Sequence, residues 1–190
     1  MAIGRADTIT LLSTSNREQI RTLARHGAEI KYLAFAADGA TLAAASDGGT
    51  IETWDLTSGK ITRTLPAGKT TALRFAPAAQ FLASGTADGS VYLWDLQSGN
   101  LVLQLRKHSG SVNAVAFSPD GTLLATGSDD RSVIIWEIAT GKARHTLKGH
   151  DLAVNCLAFS PDGSLLATGA GNSSVVLWDM PTGKLNRVLK

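Results

Sequence analysis

Residues 112–147 read VNAVAFSPDGTLLATGSDDRSVIIWEIATGKARHTL, and four short strands can be read along them. Val112–Phe117 is a short apolar run that ends at Ser118-Pro119-Asp120-Gly121. Proline pre-sets φ there and glycine accepts a positive one, so the chain turns. Leu123–Ser128 is the second run, broken by Asp129-Asp130-Arg131. Val133–Trp136 is the third, rich in β-branched and aromatic residues. After the Thr140-Gly141 turn, Ala143–Leu147 is a fourth, more polar run. Four strands in up-and-down order predict one small antiparallel sheet. The first three runs are nearly continuously apolar, which suits strands covered on both faces. The fourth, with Arg144 and His145, reads as a wetter outer edge.

The same unit recurs along the chain. Trp54, Trp94, Trp136 and Trp178 are spaced by 40, 42 and 42 residues. Nineteen positions before each stands Phe35, Phe75, Phe117 or Phe159. Five positions after each stands Gly59, Gly99, Gly141 or Gly183. Complete units therefore span residues 28–65, 69–105, 111–147 and 153–189. Residues 8–26 align as a partial unit, with Leu12 at the tryptophan position and Ile20–Leu23 as the last strand. The expectation is an outer half-sheet lacking two inner strands. A single sheet of this kind cannot bury both faces alone, so the units must stack within one domain over residues 1–190.

Composition narrows the function classes. With 44% hydrophobic residues and a net charge of +2 the chain is not of the disordered type. No apolar run approaches the ~20 residues of a membrane-crossing helix, and residues 1–10 do not read as a signal peptide. The expected compartment is the cytoplasm. One cysteine, Cys156, excludes a disulfide framework and reads as a small buried hydrophobe of the fourth unit. There is no phosphate loop, His-Glu-x-x-His run or nucleophile elbow, so neither cofactor nor metal is expected. Most basic residues lie in or beside the outer strands. That pattern reads as edge protection, and nucleic acid is an unlikely partner because no aromatic residues interleave to stack on bases.

These landmarks resemble the WD-repeat (WD40-type) β-propeller family over roughly residues 20–190. The family's Gly-His opening is matched by Gly149-His150 and, loosely, by His26 and His108. Its Trp-Asp close is matched at residues 54–55, 94–95 and 178–179, with Trp136-Glu137 as a variant. The resemblance implies an all-β fold: four full blades of four antiparallel strands, plus a half blade, in an incomplete ring. It also implies a structural tetrad, complete only in the third unit as His108, Ser128, Asp130 and Trp136. The other units depart from it, with Gly48, Pro66, Ala170 and Asn172 in polar slots. The residue types of His108, Ser128 and Asp130 also match a hydrolase triad, but their recurrence beside a tryptophan favours a structural network.

Members of the family are generally non-catalytic scaffolds that bind a protein or peptide on the loop face around the channel. By the family's pattern that face comprises Glu29, Lys31, Asp47, Lys69, Thr71, Ser111, Asn113, Asp129 and Asn155. The alternative is a structural subunit whose open blade edges assemble with a second chain, either a homodimer partner or a different chain that completes the ring. A charge at Val176 is expected to disturb such an end face.

Overall fold

The computed structural model describes residues 1–23, 27–171 and 174–189; Arg25, His26, Asn172 and Lys190 lie outside them. The N-terminal sheet holds β1 (Ala2–Arg5), β2 (Thr8–Leu12) and β3 (Gln19–Leu23). Blade 1 follows with β4 (Ile30–Phe35), β5 (Thr41–Ser46), β6 (Thr50–Asp55) and β7 (Lys60–Pro66). Blade 2 is β8 (Thr70–Phe75), β9 (Phe81–Thr86), β10 (Ser90–Asp95) and β11 (Leu101–Arg106). Blade 3 is β12 (Val112–Phe117), β13 (Leu123–Ser128), β14 (Ser132–Glu137) and β15 (Ala143–Lys148). Blade 4 is β16 (Val154–Phe159), β17 (Leu165–Ala170), β18 (Val175–Asp179) and β19 (Lys184–Leu189). All five sheets are antiparallel meanders with strands in chain order. The inner strands β4, β8, β12 and β16 pack side by side, which is the arrangement of an incomplete propeller.

The N-terminal sheet corrects the sequence expectation. Ala2–Arg5 pairs with β2, from Ala2 opposite Leu11 to Arg5 opposite Thr8. The sheet therefore has three strands and lacks only the innermost. Its register slips between Leu11 and Leu12, where the full blades slip before Trp54, Trp94, Trp136 and Trp178. Leu12 thus occupies the tryptophan position.

Each apolar cluster lies between two sheets. Ile9, Leu11 and Leu23 meet Ile30, Leu42 and Trp54. Ile51 and Leu65 meet Leu73, Leu82 and Trp94. Val91, Leu93 and Leu105 meet Val112, Leu124 and Trp136. Val133, Ile135 and Leu147 meet Val154, Leu166, Val176 and Trp178. The sheets approach so closely that a Cβ on Gly127 would lie 2.7 Å from Val154 Cγ1, and one on Gly85 2.6 Å from Val112 Cγ1. Arginines latch the outer rims. On β3, Arg21 Nη1 donates to the Thr57 carbonyl of blade 1 (3.2 Å). On β7, Arg63 Nη2 donates to the Gln97 carbonyl of blade 2 (2.6 Å).

Blade 4 ends the series with a bare face. In register, Ala167, Val175, Leu177 and Leu189 repeat Ala125, Val133, Ile135 and Leu147 of blade 3. Val133 is 0% exposed and Leu147 3%, whereas Val175 is 36% and Leu189 44% exposed. Val176 faces blade 3 and is buried, so the expectation that it lies on the open face is wrong by one residue: strand neighbours point to opposite faces. Cys156, read as buried, is exposed on the inner strand of blade 4.

The turn between β8 and β9 is strained. Ala79 holds φ +59° where the same turns of the other blades hold Gly39, Gly121 and Gly163. A side chain in that region costs about 1–2 kcal/mol. Ala79→Gly is expected to stabilise the chain by about 0.5–1 kcal/mol, the relief being partly offset by a more flexible unfolded chain, as read by urea denaturation.

Candidate functional site

The loop end of the inner strands is built by a repeated irregularity. Register slips between Ile30 and Tyr32, Thr70 and Ala72, Val112 and Ala114, and Val154 and Cys156. The extra residues are Lys31, Thr71, Asn113 and Asn155. A bulge leaves a residue outside the ladder and re-aims its side chain. All four belong to the set expected from sequence, and the bulge is what places them together.

One further backbone bond recurs in every blade. Asp47 N donates to Glu29 O (2.9 Å), Ala87 N to Lys69 O (3.0 Å), Asp129 N to Ser111 O (2.9 Å) and Gly171 N to Ala153 O (3.2 Å). The loop entering the inner strand is thereby tied to the loop between the second and third strands. The resulting ledge is graded. In blade 1, Lys31 Nζ lies 2.8 Å from Glu29 Oε2 and 3.3 Å from Asp47 Oδ2. The hydrogen bond with Glu29 above all, helped by Asp47, raises the Lys31 pKa above its ordinary value. In blade 2, Thr71 Oγ1 donates across the seam to the Val112 carbonyl (2.6 Å), beside the exposed Lys69. In blade 3, Asn113 Nδ2 donates to Asp129 Oδ1 (2.6 Å) and reaches Asn155 Oδ1 of blade 4 (3.3 Å), with half-buried Ser111 alongside. Thr71, Asn113 and Asn155 rim a recess of about 280 Å³.

A polar network of a different kind lies between the blades. Asp130 can only accept, so His108 Nδ1 donates to its Oδ2 (2.8 Å). In the neutral ring Nε2 then accepts from Thr126 Oγ1 (2.8 Å), and that oxygen accepts from Trp136 Nε1 (2.9 Å). Donation runs from Trp136 through Thr126 and His108 to Asp130, which accepts. The hydroxyl is Thr126 and not Ser128, which is a correction to the sequence reading. Ser128 Oγ instead donates to Gly110 O (3.0 Å) and accepts from Asp130 N (3.1 Å). Thr126 lies two residues along β13 from Leu124, the partner of Trp136, so both project from one face. A hydroxyl ten residues before the tryptophan was the missed signal: Ser84, Thr126 and Thr168 share it, while blade 1 has Ala44. Thr126 is fully buried and engaged on both sides, so it offers no nucleophile.

The other blades keep part of this network. Thr168 joins His150 Nε2 (2.6 Å) to Trp178 Nε1 (2.8 Å), and His150 Nδ1 has no partner among the described residues. Burial lowers the His150 pKa, against an opposing pull from Asp151. In blade 2, Trp94 reaches Ser84 only at 3.5 Å, and Thr86 bonds Asp88 directly (2.5 Å). Burial alone would raise Asp130. The hydroxyl and N–H of Ser132, with His108 and the Ser109 N–H, outweigh it and hold the carboxyl at about 2.

Family comparisons agree with this geometry. The model of the WD40 family (WD domain, G-beta repeat) matches residues 59–95, 99–137 and 141–179, more than half of the chain. That of the anaphase-promoting complex subunit 4 WD40 domain matches residues 1–76. Each of the three repeats runs from the outer strand of one blade through three strands of the next, so sequence repeat and blade are out of phase. No curated protein matches the chain.

Thr126→Val strands two buried ring nitrogens and is expected to cost about 2–4 kcal/mol by urea denaturation, against about 1 kcal/mol for Ser128→Ala. The stability that Asp130 confers over an Asp130→Asn variant is present above pH 4, because the folded pKa lies below the unfolded one. It is expected to fade as pH falls from about 4 to about 2. For His150 the lowered pKa means that the unfolded chain takes the proton first, so stability declines as pH falls below 6.5.

Proposed function

This chain belongs to the WD40-repeat family, and on that premise we propose that it is a cytoplasmic, non-catalytic scaffold that binds a protein or peptide partner on its bulge-built ledge. WD40 repeats generally mediate protein–protein interaction or scaffolding, and such domains are typically non-catalytic. The observation that supports the ledge is the bulge itself. It recurs once per blade and lifts Lys31, Thr71, Asn113 and Asn155 out of the ladder at one end of the inner strands. The ledge is mixed in charge and lacks tryptophan and arginine, the usual hot-spot types, which favours an extended polar segment of modest affinity.

A second reading has its own support: the bare face of blade 4 invites a further chain. Its Val175, Leu177 and Leu189 repeat residues that are buried in blade 3. Arg187 stands nine residues after Trp178, where Arg21 and Arg63 follow Leu12 and Trp54 and latch the next blade's outer turn.

The double variant Lys31→Glu, Asp129→Lys is expected to lose the proteins that the wild-type chain retains in affinity capture, while Leu177→Asp keeps them. Retention by the ledge variant and loss by Leu177→Asp refutes the ledge and favours assembly through the open face. Under that second reading, light scattering shows a mass near twice 19.9 kDa, or a 19.9 kDa species that awaits a different chain, and Leu177→Asp abolishes the larger species.

A further inference from the structure

Alanine stands near the end of three inner strands, and the second blade departs from it with a charge. The fifth residues of the inner strands are Ala34, Arg74, Ala116 and Ala158. The turns that follow read Ala36-Ala37-Asp38-Gly39, Ala76-Pro77-Ala78-Ala79, Ser118-Pro119-Asp120-Gly121 and Ser160-Pro161-Asp162-Gly163. Blade 2 thus gains a cation and loses the turn carboxylate together. The remaining turn carboxylates are committed locally: Asp38 accepts from Ala40 N (2.8 Å), Asp120 from Thr122 N (3.0 Å) and Asp162 from Ser164 N (3.1 Å). Among the described residues no acidic side chain pairs with Arg74, which is exposed.

Arg74 borders two recesses at once. One is the 280 Å³ recess under the ledge; the other, about 430 Å³, opens at the opposite mouth of the inner strands. The second is walled by the repeat phenylalanines Phe35, Phe75, Phe117 and Phe159 and by the prolines of three turns. Phe35 is 44% exposed. This volume falls within the range of binding sites and has room for a few side chains. The exposed Arg74 guanidinium stands at the rim of these apolar walls, and its planar fork favours a carboxylate held through two hydrogen bonds.

We propose that this apolar mouth binds a short protein segment in which an acidic residue, paired with Arg74, stands beside an apolar side chain seated among the phenylalanines. The chemistry of the mouth selects the occupant: Arg74 is the one charged residue among the described residues that line it, and the rest is mainly apolar ring and turn. The site goes beyond the ledge reading and lies at the other end of the channel.

The test is a phage-displayed random-peptide selection against the folded wild-type chain, with enriched sequences resynthesised and titrated by fluorescence polarisation. Enriched peptides are expected to place Asp or Glu next to Leu, Ile or Phe. Arg74→Gln and Phe35→Ala, each confirmed folded by circular dichroism, are expected to weaken them tenfold or more. Arg74→Glu abolishes binding, and exchanging the peptide's carboxylate for lysine restores part of it. Lys31→Glu with Asp129→Lys leaves affinity within about twofold. Absence of enrichment over the naive library, enriched peptides without an acid, or affinity untouched by Arg74→Gln overturns the proposal. Peptides lost to the ledge variant but not to Arg74→Gln overturn it while leaving the ledge reading intact.

Discussion

Each of the four blades is apolar on both faces, and water is kept from both only where another sheet stands on either side. Trp54, Trp94, Trp136 and Trp178 each fill the gap toward the preceding sheet and are nearly fully buried. At ~25 cal/mol per Å² of apolar surface, such burial is the main term available to a chain with no helix among the described residues and no disulfide. The close approach leaves Gly85 and Gly127 no room for a side chain, because the next inner strand's valine occupies that space. Packing between sheets therefore sets the backbone, and the polar groups are arranged around it.

The buried network of blade 3 shows how the polar groups conform. Trp136 must point toward blade 2 to fill the gap, which carries its N–H into the apolar layer. Thr126 and His108 return that donor to Asp130, at the edge where solvent begins. Where the packing is the same but the polar residues differ, as in blade 2 with Pro66 and a long Trp94–Ser84 contact, the blade still forms. The network refines a geometry that apolar burial has already imposed. The ledge follows the same order of causes. The ladder accommodates one extra residue per inner strand, and that residue, relieved of pairing, is free to be Lys31, Thr71, Asn113 or Asn155.

The same constraint makes the two ends of the chain unlike its middle. The N-terminal sheet covers blade 1 with Ile9, Leu11 and Leu23, so three strands suffice to bury Trp54. Blade 4 has its Trp178 side covered and its other side bare. Arg74 is a departure of another kind, a charge admitted where the repeat places alanine, with its side chain exposed beside the two recesses.

Much of this was legible in residues that recur. Spacing of Trp54, Trp94, Trp136 and Trp178, with a phenylalanine nineteen before and a glycine five after, determined the strands, their order and the need to stack, because a period is a local property that burial on both faces enforces in every unit. The ledge positions were legible for the same reason, once the family's pattern was laid on the repeat. Strand Ala2–Arg5 was missed because it carries no landmark and is recognised only by its pairing with Thr8–Leu12. The hydroxyl beside His108 was misassigned to Ser128, since two hydroxyls on one strand face differ only in how far along the sheet Trp136 reaches. Which face Val176 occupies, whether Cys156 is covered and which groups remain for Arg74 were decided by tertiary structure alone. Each depends on what stands across a gap of several ångströms, from residues some forty positions away or from none at all.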